Sequence, residues 1–338
     1  MDKKDYQIME LLGRNCRIPH STIGSALKLS KDAVLYRIRK LEISEMIKQY
    51  VLFIDARRLG FTRYHILVSF DADLKKYGDL YLELAKHPFV MWINSFIGRY
   101  DAQIIVDAWD GFHLNRIKED LFSVCKNKIK GYVVLTHLYD LEFTQLNPSI
   151  YEDVDFQKKM DHSFSALINN RNFPVSPHFE RQHVSETEVE LLKELSDDPR
   201  KSLINLGKNI GVDRITAKKR IAALIKDKII LSFAISPNLE KLGFVTYYLL
   251  VRLKQDIPYN VLKRPFERLQ NIFYAGKMLG DYDLILYLNA RNPQELNSSI
   301  ELFKKDIEEY IIHYDLLVQD KVHFWKQFTA GLYSALKK

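Results

Sequence analysis

Basic side chains recur on two corresponding segments of the chain, where they could hold a polyanion. In the first segment Val34, Ile38 and Leu41 follow the i, i+4, i+7 spacing of a helix with one apolar side. Lys and Arg side chains bind phosphates, and exposed side chains near the start of such a helix reach base edges. The positions turned away from the apolar side are Lys31, Asp32, Leu35, Tyr36, Arg39 and Lys40 in the first segment and Arg214, Thr216, Lys218 and Lys219 in the second.

A second pattern, Gly-x-Tyr-Asp, occurs at residues 98–101 and again at residues 280–283. Glycine permits a turn conformation that is closed to residues with a Cβ, and the aspartate accepts amide hydrogen bonds from its own loop or binds a ligand ammonium group. The pattern fits a plain β-turn as well as a small-molecule site, and both interpretations stay open. Arg99 in one copy stands where Asp281 stands in the other, so two such sites would differ in charge.

The residue types needed for catalysis or metal binding do not form a supporting pattern. Cys16 and Cys125 lie far apart without CxxC or Cys/His spacing, which indicates neither a disulfide framework nor a zinc site. No nucleophile triad, P-loop or GxGxxG motif occurs in a supporting context. Histidines of the predicted sheet domains stand at spacings that suggest no shared site, among them His65, His113, His137 and His313. We therefore predict no metal, no cofactor and no enzymatic activity.

The composition agrees with a soluble protein that meets a polyanion. The 338 residues are 47% hydrophobic, and the formal net charge of +7 with a pI near 9.0 fits binding to phosphates. No apolar run approaches the ~20 residues needed to cross a bilayer, and the chain opens with Met-Asp-Lys-Lys-Asp instead of a leader-like segment. We expect a cytoplasmic protein with no membrane partner.

The two basic segments belong to a module that occurs twice. Residues 17–61 match residues 200–244 at a constant offset of 183 without a gap, and nine of the 45 positions are identical. After one net deletion the offset is 182, and it aligns Gly98 with Gly280 and Asp101 with Asp283. Repetition over this length indicates two copies of one domain arrangement.

Each copy begins with three short helical patterns. Ser30 and Asp213 stand where the third helix of each copy begins, and their side-chain oxygens can cap free backbone amides. Only two residues, 28–29 or 211–212, separate the second helix from the third, which is typical of a helix-turn-helix. Strand-like segments follow and indicate a β extension or a wing, at residues 50–54 and 233–235.

The later part of each copy changes to the period of β-strands. β-branched and aromatic residues mark four strands, and helices separate the first strand from the second and the third from the fourth. The order βαββαβ is a ferredoxin-like layout, so the fold class is α+β. Two such sheets in one chain could cover each other. In the first copy the strands are predicted at residues 64–70, 90–97, 103–109 and 131–137.

The predicted organisation is two tandem modules, each a winged helix-turn-helix followed by a ferredoxin-like domain. Trp325, Phe328, Leu332 and Leu336 follow helical spacing and predict a C-terminal helix. The predicted domains are winged helix-turn-helices at residues 1–60 and 184–243, a ferredoxin-like effector and assembly domain at 61–147, a helical linker at 148–183, a second ferredoxin-like domain at 244–320, and the terminal helix at 321–338.

The helix-turn-helix, the Leu-Gly-Phe that ends the connecting strand, and the βαββαβ domain with Gly-x-Tyr-Asp together resemble the leucine-responsive, or Lrp/AsnC, family of transcription regulators. The resemblance implies a regulator that binds double-stranded DNA, with the single chain imitating the family's dimer as an intramolecular pseudo-dimer. It places an amino-acid-like effector near Gly98, Asp101, Gly280 and Asp283, and it assigns phosphate contact or helix bracing to Arg37 and Arg220. The DNA-binding candidates are then Ser30, Lys31, Tyr36, Arg37, Arg39, Lys40, Arg214, Thr216, Lys218, Lys219 and Arg220.

Two alternatives stay open beside this interpretation. Siroheme decarboxylases of haem biosynthesis also look like Lrp/AsnC proteins, sometimes fused in pairs, and use His and Arg around a porphyrin acid. The other is an effector-sensing scaffold whose two helix-turn-helix domains, called heads below, have lost DNA affinity. Asp32 and Leu35 make the first helix a weaker DNA reader, because a carboxylate repels phosphate, so we expect the two heads to read different half-sites.

Overall fold

The structure, a computed structural model, describes residues 1–71, 78–126, 128–143, 179–254 and 257–337. In the first copy the elements are α1 (Lys3–Arg14), α2 (His20–Leu27), α3 (Lys31–Ile43), β1 (Ile47–Ile54), β2 (Thr62–Phe70), α4 (Gly78–Ala85), β3 (Val90–Ile97), β4 (Ala102–Ala108), α5 (Gly111–Val124) and β5 (Ile129–Phe143). The second copy contains α6 (Glu186–Asp197), α7 (Leu203–Ile210), α8 (Arg214–Lys226), β6 (Ile230–Pro237), β7 (Val245–Leu253), α9 (Tyr259–Arg268), β8 (Ile272–Leu279), β9 (Leu284–Ala290), α10 (Pro293–Lys304), β10 (Ile311–Trp325) and α11 (Ala330–Leu336). The α+β class and the tandem modules predicted from the sequence are confirmed.

The turn between the second and third helices of each head depends on a repeated glycine. A Cβ at Gly24 would lie 2.6 Å from the carbonyl oxygen of Leu29, and one at Gly207 would lie 2.5 Å from that of Val212. Both distances are shorter than any real Cβ contact, and backbone oxygens cannot move aside cheaply. The third helices then begin at caps, where Ser30 Oγ accepts from the amide of Ala33 at 3.1 Å.

The strand that follows each head pairs with the equivalent strand of the other head. β1 and β6 form an antiparallel two-stranded ribbon, with Val51 opposite Ala234. The β extension is therefore a link between the two copies. Arg17 stacks on Phe233, and Arg200 stacks on Tyr50, the equivalent pair with the copies exchanged. The two heads share one apolar core, so they form a single unit.

The two ferredoxin-like domains merge into one closed barrel with the strand order β10-β3-β4-β2-β5-β8-β9-β7. Closure depends on the last strand of each domain, because both are 15 residues long and cross into the other sheet. β5 pairs with β2 of its own domain and with β8, and β10 pairs with β7 and with β3. The sheets cover each other over a core that includes Leu67, Leu135, Tyr248, Leu250 and Leu317.

Two predicted segments lie outside the repeats. A helix over 321–338 is wrong for its first part, because β10 continues to Trp325, which pairs with Trp92 of β3, and the helix begins only at Ala330. The apolar residues at helical spacing are shared between a strand and a helix. Most of the predicted helical linker, residues 148–178, lies outside the described residues. None of the helices within the described ranges has the length and apolarity needed to span a bilayer.

Candidate functional site

The first recognition helix, α3, presents most of its predicted DNA-binding residues to solvent. Val34, Ile38 and Leu41 are buried, as the spacing predicts. Tyr36 is 69% exposed, and the exposed basic residues of this face are Lys31, Arg39 and Lys40.

Arg37 lies at the inner edge of that face and holds the head together. Its Nη1 atom donates to Asp2 Oδ2 and Asp5 Oδ1, both at 2.7 Å, and so ties α3 to the start of α1. Arg220 occupies the equivalent position and donates through Nη1 to Ser185 Oγ at 3.3 Å, with Glu188 at 3.8 Å. Of the two roles that the sequence left open for these arginines, helix bracing accounts for the contacts.

The second recognition helix, α8, offers a more basic surface. Its residues include five basic and no acidic side chains, against four basic and two acidic ones in α3. Arg214, Lys218 and Lys219 are exposed, and Ile215 beside them is 66% exposed. Thr216 donates its hydroxyl to Asp213 Oδ2 at 2.6 Å, which makes it part of the helix cap.

The Gly-x-Tyr-Asp loops lie where the crossing strands meet the other domain. Gly98 and Gly280 have φ angles of +149° and +142°. A Cβ on Gly98 would approach Leu317 on β10 to 2.8 Å, and one on Gly280 would approach the Val134 carbonyl oxygen on β5 to 2.9 Å. These glycines therefore permit the close packing between domains.

The aspartates of the same loops are engaged by the backbone of their own module. Asp101 Oδ2 accepts from the amide of Phe70 at 2.8 Å, and Asp283 Oδ2 accepts from the amide of Leu253 at 2.9 Å. Gly98 and Gly280 thus lie against the other domain, whereas the hydrogen bonds of Asp101 and Asp283 stay within their own module. An effector bound there stays a prediction.

A cavity that the sequence did not suggest lies at one end of the barrel, under the β1–β6 ribbon. Its volume is about 100 Å³, it is partly open to solvent, and its walls are largely aromatic. His65 on β2 and His137 on β5 both line it, with ring centroids 6.2 Å apart. The prediction that the histidines share no site is wrong for this pair. Their spacing in the sequence does not show it, because the two side chains meet only through the pairing of β2 with β5. The other two lie elsewhere, because His113 stacks on Trp109 and His313 lies beside Tyr282.

The charges around this cavity are paired with one another. Arg57 donates to both oxygens of Asp55 at 2.9 Å. Arg63 holds Asp107 with two hydrogen bonds of 2.9 and 3.1 Å. His137 Nε2 lies 2.9 Å from Asp140 Oδ1. Burial raises the pKa of Asp140, but His137 and the nearby arginines outweigh it and leave that pKa lowered.

Burial decides the protonation of His65. It is 1% exposed, and burial lowers its pKa well below the usual value, with the neighbouring His137 acting in the same direction. His65 is therefore neutral near pH 7. Its equivalent in the second copy is Tyr248, and the equivalents of Arg63 and Asp107 are Thr246 and Asn289, so the charged end of the barrel belongs to the first copy alone.

Metal chemistry finds no support in the part of the chain that the structure describes. No group of three or more His, Cys, Asp or Glu side chains there is arranged to hold a metal ion. Cys16 and Cys125 are both buried and free, and burial raises the pKa of each thiol, to about 12 and about 11. Neither thiol is suited to act as a nucleophile near neutral pH.

Several known proteins are similar to this chain. The AsnC-type helix-turn-helix domain matches residues 1–42. An uncharacterised HTH-type transcriptional regulator of Pyrococcus horikoshii is 30% identical over 109 residues, which are 31% of this chain and 73% of that relative. The regulator LrpA of the same organism is 28% identical over 129 residues, 38% of this chain and 86% of LrpA. Both relatives are therefore less than half as long as this chain.

A solved structure matches the whole arrangement of domains. The siroheme decarboxylase NirDL superposes over 99% of this chain and 97% of its own with a TM-score of 0.62 and 12% sequence identity. At that identity the likeness concerns the fold alone. The sequence relatives, in contrast, are transcriptional regulators.

Proposed function

Since this chain belongs to the Lrp/AsnC family of transcription regulators, we propose that it binds DNA sequence-specifically as a pseudo-dimer made from one chain. The observation that carries the proposal is the pair of helix-turn-helix heads, each with an exposed basic recognition helix and both held by the β1–β6 ribbon. A recognition helix of this type lies in the major groove. Two heads in a fixed relation then suit adjacent grooves of one duplex.

The division of labour among the candidate residues follows from their contacts. Lys31, Arg39 and Lys40 on α3, and Arg214, Lys218 and Lys219 on α8, supply charges to phosphates or guanines. Ser30 and Thr216 serve first as cap groups, and Arg37 and Arg220 serve as braces. Since α8 is the more basic helix, the second head contributes the larger share of affinity, and the two half-sites differ in sequence.

The test of this proposal is binding to the chain's own promoter region over a range of salt concentrations. We expect affinity to fall linearly on a log–log plot with salt, and a random duplex of equal length to bind more weakly at ~0.15 M salt. Affinity that is indifferent to salt, or equal for all duplexes, would contradict specific regulation. An amino-acid-like effector at Gly98, Asp101, Gly280 and Asp283 is part of the proposal, and a shift of this binding curve by free amino acids would support it.

A second candidate function is decarboxylation of siroheme, favoured by one observation. Two histidines and two arginines line the same cavity in a chain whose fold matches that of NirDL throughout. The cavity volume argues against it. A cavity of ~150 Å³ holds one benzene ring, so about 100 Å³ does not admit a tetrapyrrole with the side chains as they stand. We expect neither carbon dioxide release nor an absorbance change on adding siroheme, and either would reverse the ranking.

A further inference from the structure

A second cavity lies between the two heads, where equivalent loops of the two copies meet. Arg17 follows α1 and Arg200 follows α6, at the offset of 183. Arg17 donates across the junction to the carbonyl oxygens of Pro199 at 2.6 Å and Lys201 at 2.9 Å, and Arg200 donates across it to Tyr50 Oη at 2.8 Å. The cavity has a volume of about 240 Å³, is largely open to solvent, and is lined by Cys16, Arg17, Ile18, Pro19, His20 and Arg200.

The wall of this cavity is positively charged. Two of its lining residues are arginines, and none of those in the described part of the chain is acidic. Glu42 lies behind the wall, 3.7 Å from Arg200 Nη1, which is too far for a hydrogen bond. Burial lowers the pKa of His20, the charges of Arg200 and Lys31 lower it further, and Glu42 opposes them with a smaller effect. Positive charge therefore prevails at His20, and a concave site of one sign attracts the opposite ion.

The two guanidinium groups are held in place and keep donors for a further partner. Each stacks on an aromatic ring, Arg17 on Phe233 and Arg200 on Tyr50. A guanidinium carries five N–H groups. Arg17 uses two on the carbonyl oxygens, and Arg200 uses one on Tyr50 and one on His20 Nε2, which accepts at 2.6 Å. These partners are neutral, so a molecule that completes the site brings hydrogen-bond acceptors and negative charge.

The start of α2 adds backbone donors to the same wall. Pro19 and His20 line the cavity, and α2 begins at His20 with no side-chain cap. The equivalent helix, α7, is capped, because Ser202 Oγ accepts from the amide of Asn205 at 3.2 Å. The first amides of a helix have no partner within the helix, and its positive end favours an anion. The start of α2 therefore supports the two arginines in attracting one.

Geometry and size point to a phosphate group. Planar guanidinium groups match the oxygens of phosphate with paired hydrogen bonds, and two of them suit an anion with several acceptor oxygens. A cavity of ~150 Å³ holds a benzene ring of six heavy atoms. A volume of about 240 Å³ therefore has room for the five heavy atoms of phosphate.

We infer that the cavity between the heads binds a phosphate group through Arg17 and Arg200. The site is separate from the recognition helices and from the Gly-x-Tyr-Asp loops, none of whose residues line it. An anion held by both arginines joins the two heads at a second place besides the β1–β6 ribbon. The inference goes beyond reading DNA with α3 and α8, and its first test contains no DNA, so the two can fail independently.

Inorganic phosphate is the probe, titrated into the full chain at constant ionic strength, with chloride as the reference anion. The NMR signal of the His20 ring reports binding, because this ring lines the cavity. We expect a saturable shift of that signal and a higher pKa of His20, since the anion offsets the charges of Arg200 and Lys31. His313, on β10 in the barrel, should show neither effect.

Arg17→Gln and Arg200→Gln each remove one guanidinium, and we expect each to weaken phosphate binding by about tenfold or more. Arg264→Gln is the matched control, because Arg264 is exposed on α9 outside the cavity, and it should leave phosphate affinity unchanged. Near-ultraviolet circular dichroism shows whether each variant is folded. The titration of His20 in the unaltered chain needs no variant, so it tests the inference even if a variant does not fold.

The promoter duplex then distinguishes the two sources of such a group. If a small molecule supplies it, inorganic phosphate and the duplex bind together, and Arg200→Gln leaves the salt slope of DNA binding unchanged. If the DNA backbone supplies it, the duplex displaces inorganic phosphate, and Arg200→Gln lowers the slope by about 0.9. Both outcomes support a phosphate site. The inference is overturned if phosphate leaves the signal and the pKa of His20 unchanged, or if folded Arg17→Gln and Arg200→Gln both bind phosphate like the unaltered chain.

Discussion

Replacing Lys218 and Lys219 by glutamine tests whether the second head reads DNA. Both side chains are exposed on α8, and neither makes a hydrogen bond or ion pair within the described ranges. Glutamine has nearly the same helix propensity as lysine, and the two substitutions remove two positive charges. The substitution therefore leaves the fold unchanged and alters only what the helix offers to phosphates.

The expected magnitude follows from counterion release. Each phosphate contact adds about 0.9 to the slope of log affinity against log salt, so losing two lowers the slope by about 1.8. Since the charge contribution vanishes near ~1 M salt, a slope lower by about 1.8 corresponds to about 60-fold weaker binding near ~0.1 M salt. Fluorescence anisotropy of a labelled promoter duplex at four or five salt concentrations between ~0.05 and ~0.3 M measures both quantities in one series.

The control is Lys130→Gln with Lys305→Gln, which makes the same change in net charge on the two ferredoxin-like domains. Both lysines are exposed there, and we expect the slope and affinity of the unaltered chain. If the Lys218/Lys219 variant kept the full slope and affinity, the second head would not be a reader. The interpretation as a scaffold without DNA-binding heads would then gain support.

Three further predictions concern stability. Gly207→Ala places a Cβ 2.5 Å from the Val212 carbonyl oxygen and should lower the free energy of unfolding in urea titrations by about 2 kcal/mol. Gly131→Ala is the control, because the space around Gly131 is open, and it should change that free energy by less than about 0.5 kcal/mol. Arg37→Ala should cost about 1 kcal/mol of stability and leave the salt slope of DNA binding unchanged; a slope lower by about 0.9 would instead make Arg37 a phosphate contact. Burial lowers the pKa of His65, so only the unfolded chain takes up that proton just below pH ~6.5. The stabilising contribution is present above that pH and is lost as the pH falls, by up to about 1.4 kcal/mol per pH unit, and His65→Gln should remove this part of the pH dependence of urea unfolding.

The helices and their caps could be predicted from the sequence, because they depend on residues close together in the chain. The apolar spacing of Val34, Ile38 and Leu41 and the caps at Ser30 and Asp213 are seen in the structure as predicted. Gly24 and Gly207 repeat because the same tight turn repeats. Exposure of the basic face follows directly from the buried face of the same helix.

Contacts between distant strands were not predictable in the same way. Nothing local shows that β1 pairs with β6, or that β5 and β10 cross into the opposite sheet. His65 and His137 are 72 positions apart and meet only through the pairing of β2 with β5. Trp325 keeps a helical spacing with Phe328 although it ends a strand, because pairing with β3 outweighs local preference. The cavity therefore depends on tertiary register, which a single sequence does not display.

The central claim is that one chain reads two adjacent, unlike half-sites. Selection of bound duplexes from a random pool, followed by hydroxyl-radical footprinting of the enriched sequence, tests it directly. We predict that a single chain protects two stretches about 10 base pairs apart on one face of the duplex, with different sequences in the two stretches. Protection of only one stretch per chain, or enrichment of a perfect palindrome, would contradict the account.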